Sequence, residues 1–188
     1  MKQLIRVWLL LLLLIGCTTT PTTPSPPQSS AAELHNWVFE GRLAITDGQQ
    51  SWQSSIKWEQ QGEAYSIDLV GALGQGQISI RGDADGVTLR QGDQALQADD
   101  PDQLLAEATG LSLPISSLRY WLLGLATPTS AVTPMTDTEG RLRQLQQAGW
   151  LIHYPNYIQV DDFSLPQRLR AVHDPFTVQL LIRQWILI

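Results

Sequence analysis

Few residues of this chain have the type and spacing that catalysis needs. His35, His153 and His173 are isolated from one another, and no Gly-x-Ser-x-Gly elbow offers a serine to any of them. Asp161 and Asp162 are adjacent, but successive strand residues face opposite ways, so the two carboxylates do not converge on one reacting atom. Asp83-Ala84-Asp85-Gly86 begins like a calcium loop but lacks the later ligands and the closing glutamate, so a plain turn is expected. Gly71, Gly74 and Gly76 lead into no helix and therefore do not form a nucleotide cradle. Neither an enzyme nor a metal site is expected. The residue with a chemical task is Cys17, the only cysteine in the sequence. A lone cysteine excludes an internal disulfide, so the fold must stand on its hydrophobic core.

Cys17 follows a segment patterned like a secretory signal. Lys2 and Arg6 come before or at the start of an apolar run, Val7 to Ile15, that is too short to span a bilayer comfortably. The run ends in Leu14-Ile15-Gly16-Cys17, which resembles the lipobox of bacterial lipoproteins. That resemblance implies cleavage before Cys17, an S-diacylglycerol on its sulfur and an N-acyl group on the new amine, with no other cofactor. Such an anchor holds stably, because each buried CH₂ contributes ~0.8 kcal/mol and more than one chain is present. Thr18 rather than aspartate follows the cysteine. By the enterobacterial sorting pattern this implies the outer membrane, on its periplasmic face. The net charge of the whole chain is −6, and losing Lys2 and Arg6 with the signal makes it more negative. Such a balance disfavours nucleic acid and, on the sequence, offers no polybasic patch for anionic lipid.

The elements that must position a site come next. Residues 1–16 are expected to be the signal peptide and 17–35 the lipidated cysteine with a flexible tether. That stretch is Thr, Pro, Ser, Gln and Ala without apolar periodicity. Residues 36–188 then form one domain. Trp37, Phe39, Gly41, Leu43 and Ile45 share one face of a strand. Trp52, Ser54, Ile56 and Trp58 do so after the Asp47-Gly48 turn, and Tyr65, Ile67 and Leu69 after Gln61-Gly62. Further short strands run from Gln77, Val87 and Ala95. Asp100 with Pro101 starts a helix that Gly110 ends. A second helix lies between Pro114 and Leu125, where Leu118, Trp121, Leu122 and Leu125 recur at helical spacing. Ala126 to Thr138 reads as a Pro/Thr/Ser loop, and three or four strands follow it. The expected fold is mainly β with α: an incomplete antiparallel β-barrel, a curved sheet, with a short helical lid covering a hydrophobic cavity.

Three stretches, in this order after a lipobox, resemble the LolB family of outer-membrane lipoprotein receptors. They are Phe39-x-Gly41-Arg42-Leu43-Ala44, the Gly71-to-Gly76 hairpin with Leu73 at its tip, and Ser117-Leu118-Arg119-Tyr120-Trp121-Leu122-Leu123-Gly124-Leu125. The tip reads Gly-Ala-Leu-Gly where a familiar member has Asn-Pro-Leu-Gly; the Leu-Gly pair is kept. The resemblance implies a receptor that takes acylated lipoproteins from a periplasmic carrier, LolA, and inserts them into the outer membrane. It implies an acyl-chain cavity at Phe39, Leu43, Trp58, Trp121, Leu122, Leu125 and Trp150, and a membrane-insertion role for Leu73. The implied partners are a LolA-type carrier, the acyl chains of client lipoproteins and outer-membrane lipid, with the protein acting as a monomer. The alternative is a structural or pilot lipoprotein that holds a protein partner and has a filled core.

Overall fold

A computed structural model describes residues 30–71, 76–110, 113–128 and 131–188. Cys17 and Leu73, the expected lipid-attachment and insertion residues, lie outside the described residues, as does the signal segment.

Eleven strands form one antiparallel sheet. The first six make a meander: β1 (Asn36–Thr46), β2 (Ser51–Gln61), β3 (Ala64–Val70), β4 (Gln77–Asp83), β5 (Gly86–Gln91) and β6 (Gln94–Ala98). Two helices follow, α1 (Pro101–Thr109) and α2 (Ile115–Leu122). Five more strands complete the chain: β7 (Val132–Thr136), β8 (Leu142–Gln147), β9 (Trp150–Val160), β10 (Phe163–His173) and β11 (Phe176–Leu187). The order across the sheet is β6-β5-β4-β3-β2-β1-β11-β10-β9-β8-β7. The first and last strands therefore pair in the middle, while β6 and β7 are unpaired edges. The chain passes from one edge to the other through α1 and α2, so the helices bridge the open side of a curved, unclosed sheet.

Alternation decides which face is which. Trp37, Phe39, Leu43 and Ile45 point inward with Ile56 and Trp58 beside them, and Glu40, Arg42 and Lys57 point out. Leu165, Leu169, Ala171, Val178, Leu180 and Ile182 continue the inner face through β10 and β11. The β1–β11 ladder has a bulge: Glu40 faces Gln184 and Gly41 faces Ile182, which leaves Arg183 as an extra residue on the outer face. Glycine is required at 41, because a Cβ there would collide with the Leu181 carbonyl.

Two sequence expectations change. The stretch Ala126 to Thr138 is not all loop, since Val132–Thr136 pairs with β8 as an edge strand. It buries none of its side chains, and its Met135 is 58% exposed. Backbone pairing without an apolar face leaves no periodicity to read, and a proline such as Pro134 is tolerated only at such an edge. At the other end of the domain, Ala31–Glu33 forms a 3₁₀ turn capped by the Ser30 hydroxyl, with Ala31 and Leu34 half-buried against the core. The first described element thus precedes Asn36.

Candidate functional site

The inner face carries two groups of aromatic side chains within one continuous core. In the first, Trp37 stands 5.5 Å from Trp185, 6.0 Å from Trp58 and 6.1 Å from Phe39, ring centre to ring centre. In the second, Trp121 stands 6.1 Å from Trp150, which in turn stacks on His173 at 5.3 Å. Spacings of this order suit tilted and edge-to-face pairs. Each group includes an indole tied to a buried amide. Trp58 Nε1 donates to Gln60 Oε1 at 3.0 Å, and Gln60 Nε2 donates to the Gly62 carbonyl at 2.8 Å. Trp121 Nε1 donates to Gln147 Oε1 at 3.0 Å, and Gln147 also exchanges two bonds with the Thr127 backbone, at 2.9 and 2.8 Å. A buried indole N–H left unpaired is costly, so these glutamines fix which way the rings lie. Sequence reading missed both; their only signal is a glutamine at an inward position of an otherwise apolar strand face.

Asp100 starts α1 by accepting from the Asp102 and Gln103 amides, and Gly110 stops it in the left-handed conformation at φ 75°. Pro114 gives α2 no side-chain cap. Asp102 of α1 supplies it instead, accepting from the Ser116 amide at 3.1 Å and from its hydroxyl at 2.7 Å. The two helices are thereby locked together. A second contact joins them to the sheet: Arg119 Nη1 donates to Glu63 in the β2–β3 turn at 2.6 Å. The helices present Leu104, Leu105, Leu118, Trp121 and Leu122 to the sheet, and Trp121 and Leu122 are both 0% exposed.

Of the sequence-predicted cavity residues, Phe39, Leu43, Trp58, Trp121, Leu122 and Trp150 are all buried on the inner face. Leu125 differs. The helix ends at Leu122, Gly124 turns the chain at φ 73°, and Leu125 sits half-buried beyond the turn with its amide bonded to the Tyr120 carbonyl. The expected apolar trough exists as a surface, but among the described residues the lid helices fill it. An apolar space in water gains dispersion contacts by closing on its own side chains. Two openings lie at its rim. A 340 Å³ opening is lined by Trp58, Tyr65, Val87, Pro101, Ile115 and Arg119, and one of 160 Å³ lies beside Trp37, Tyr120 and Leu125. Tyr65 covers Gly82 at the larger opening; a Cβ at 82 would strike its ring. Burial first, and then the Asp102 carboxylate, push the Tyr65 phenol up to about 12. Deeper in, the Tyr154 hydroxyl is buried with no hydrogen-bond partner among the described residues.

The acidic pairs behave as turns. Asp83 Oδ1 accepts from the Asp85 amide at 2.9 Å, and Asp161 and Asp162 form the β9–β10 turn rather than adjacent strand positions. The outer face brings a correction. No polybasic run exists in the sequence, yet Arg42, Arg168, Arg170 and Arg183 come together around a 690 Å³ groove on β1, β10 and β11. Arg168, Arg170 and Arg183 meet across the β10–β11 hairpin, and the pairing of the first and last strands brings Arg42 to them from the far end of the domain.

Residues 35–185 match the family described as Outer membrane lipoprotein LolB. The Outer-membrane lipoprotein LolB of Nitrosococcus oceani is 37% identical over 160 residues, covering 84% of this chain and 80% of that one. The same-named protein of Marinomonas sp. is 33% identical, over 83% of this chain and 82% of its own. Among solved structures, a LolA superfamily protein from Nitrosomonas europaea superposes with a TM-score of 0.56 over 83% of this chain and 87% of that one. A DUF1329 family protein from Desulfovibrio piger gives 0.52 over 84% and 87%. Both are 7% identical to this chain and speak to the fold alone.

Proposed function

From the premise that this chain belongs to the LolB family of outer membrane lipoproteins, we propose that its inner face receives the acyl chains of client lipoproteins as the lid helices lift. The protein is an outer-membrane lipoprotein that serves lipoprotein localisation. The finer steps are the proposal. A LolA-type carrier presents the cargo, the acyl chains displace α1 and α2 from the sheet, and Leu73 helps to pass them into outer-membrane lipid. Cys17 carries the anchor as an S-diacylglyceryl, N-acylated residue.

One observation supports this reading above the others: the most buried apolar surface of the molecule is roofed by two short helices rather than by a second sheet. The roof is tied down through a few polar contacts at its rim, Arg119 to Glu63 and Gln147 to the Thr127 backbone. Helices of eight and nine residues have little stability of their own, so the roof is held by its packing on the sheet and is open to exchange with another apolar occupant. Once free, the aromatic and aliphatic face beneath matches what an acyl chain needs, each CH₂ gaining ~0.8 kcal/mol on burial. The driving term for displacement is thus exchange of one apolar occupant for another.

The test is transfer. Lipoprotein-loaded LolA is mixed with the acylated protein in vesicles, and cargo is followed by co-flotation. Cargo moving to the vesicles supports the receptor. Cargo staying on LolA, with no binding of a fluorescent fatty acid, supports the pilot reading, for which the filled core is the natural resting state.

A further inference from the structure

The four arginines on the outer face are not explained by a lipid-binding interior. Arg42 lies in the same cross-strand row as Leu181 and Arg168, and Arg170 lies in the next row beside Gln179. Arg183, the bulged residue of β11, completes the set. All four are exposed and line one open groove of 690 Å³. Among the described residues the ion pairs are made by Arg81, Arg119 and Arg141, and none by these four. The nearest outward carboxylate on β1, Glu40, sits across from Lys57. Strands are about 4.8 Å apart, so the guanidinium groups share a patch within about a Debye length of one another at physiological salt. No ion pair among the described residues relieves their mutual repulsion, in a protein whose net charge is −6.

We infer that this groove binds the anionic phosphate headgroups of the membrane in which the protein is anchored. Arginine is the side chain suited to the task, since its planar fork takes two phosphate oxygens at once. Between the arginines the groove is lined by the half-buried Leu181 and the exposed Pro155, as fits the glycerol region below a headgroup. Position agrees. The pairing Val70–Ser55–Arg42 puts the end of β3 level with the groove, two strands or about 10 Å away. Val70, in the same outward row, is 54% exposed. An apolar point beside a cationic patch is the composition of a surface that lies against lipid. Reach agrees too. Ser30, the first described residue, lies 13 residues beyond Cys17, and a chain of that length can span about 45 Å. Arg42 is six residues along β1 from Asn36, about 20 Å. The anchor and the groove can therefore occupy one membrane plane.

The inference rests on the lipid-anchor reading, and its test separates the two. With Cys17 acylated, a cysteine introduced at Gln53, on the edge of the groove, is the only free thiol and can be labelled with a dye. The acylated protein is placed in vesicles carrying a quencher on the lipid headgroup, made of phosphatidylcholine with or without phosphatidylglycerol. A label at Gln97, on edge strand β6, is the control. Quenching at Gln53 should exceed that at Gln97, depend on phosphatidylglycerol, and vanish when added salt shortens the Debye length to about 3 Å. Arg168→Gln with Arg170→Gln should lower the docked-to-free ratio roughly 25-fold, about fivefold for each arginine, with the melting curve unchanged. Quenching that is equal in neutral and anionic vesicles, on protein that floats with them, overturns the groove assignment. So does loss of quenching with inorganic phosphate but not with chloride of equal ionic strength, which marks a site for the free anion. Arginine variants that keep quenching but no longer accept cargo from the carrier mark a protein-docking face and overturn it as well. Protein that fails to float at all refutes the lipid anchor first, and this inference with it.

Discussion

Shortening Leu122 to alanine should weaken the fold and tighten acyl binding together. The side chain is fully buried between α2 and the sheet, and Leu→Ala changes at such sites cost about 2–5 kcal/mol. In a domain of this size each kcal/mol lowers Tm by about 2–4 °C, so a loss of about 3 kcal/mol lowers it by roughly 6–12 °C. The lid and the acyl chain compete for the same face. Apparent affinity therefore scales with the fraction of molecules whose lid is open. If about 2 kcal/mol of the loss falls on lid docking, the open fraction rises about 30-fold and the apparent Kd falls by a like factor, until most lids stand open. The assay is titration with a fluorescent fatty acid, beside thermal melts of the same samples. A lower Tm with tighter binding is the expected pair. A lower Tm with binding weakened to a similar degree would refute the competition argument, because Leu122 would then be holding the ligand.

Four further outcomes are expected. Cys17→Ala should give an uncleaved or soluble product that takes up no labelled palmitate, read by mass analysis of the N-terminus. Leu73→Glu should fold and accept cargo from loaded LolA but fail to place it in outer-membrane vesicles; normal incorporation would reduce Leu73 to packing. Gln147→Ala strands the Trp121 indole N–H and the Thr127 amide and carbonyl, at a cost of about 2–4 kcal/mol in urea unfolding with the m-value unchanged. The Tyr65 phenol is held at about 12 in the fold against 10 when free. The neutral form is the one the fold prefers, so that stability is complete below pH 10 and is lost as pH climbs from 10 to 12. Tyr65→Phe should flatten that part of the Tm–pH curve.

Much of the sheet was legible because its inner face alternates without interruption. Trp37, Phe39, Leu43 and Ile45 on β1, and Ile56 and Trp58 on β2, declare their face at period two, and Asp100-Pro101 with Gly110 bound α1 by cap chemistry alone. The strand β7 was not legible, because Val132 to Thr136 bury nothing and pair only through their backbone. Leu125 kept helical spacing but lies past the turn at Gly124, a termination that periodicity cannot see. The state of the cavity was hidden too. An apolar face looks the same in sequence whether a lid or a ligand covers it. The arginine groove was hidden for a different reason: Arg42 and Arg183 are neighbours only because β1 and β11 pair, and no local pattern signals that two chain ends will meet.

That meeting of the ends also has a mechanical side. The tether enters the domain at β1, which is hydrogen-bonded to β2 from Asn36 to Thr46 and to β11 along nearly its whole length. The start of the strand is further held by the bonds from the Gly62 amide to Asn36 Oδ1 and from the Ile188 amide to the Asn36 carbonyl. A pull directed along this strand loads both ladders in shear, so many bonds must fail at once. Had the tether joined an edge strand, the same pull would peel bonds one at a time. The weak edges, β6 and β7, are the ones the lid joins, and they lie five strands away from the tethered one on either side. A load entering at the start of the domain is thus borne first by the middle of the sheet, away from the two edges that the helices join.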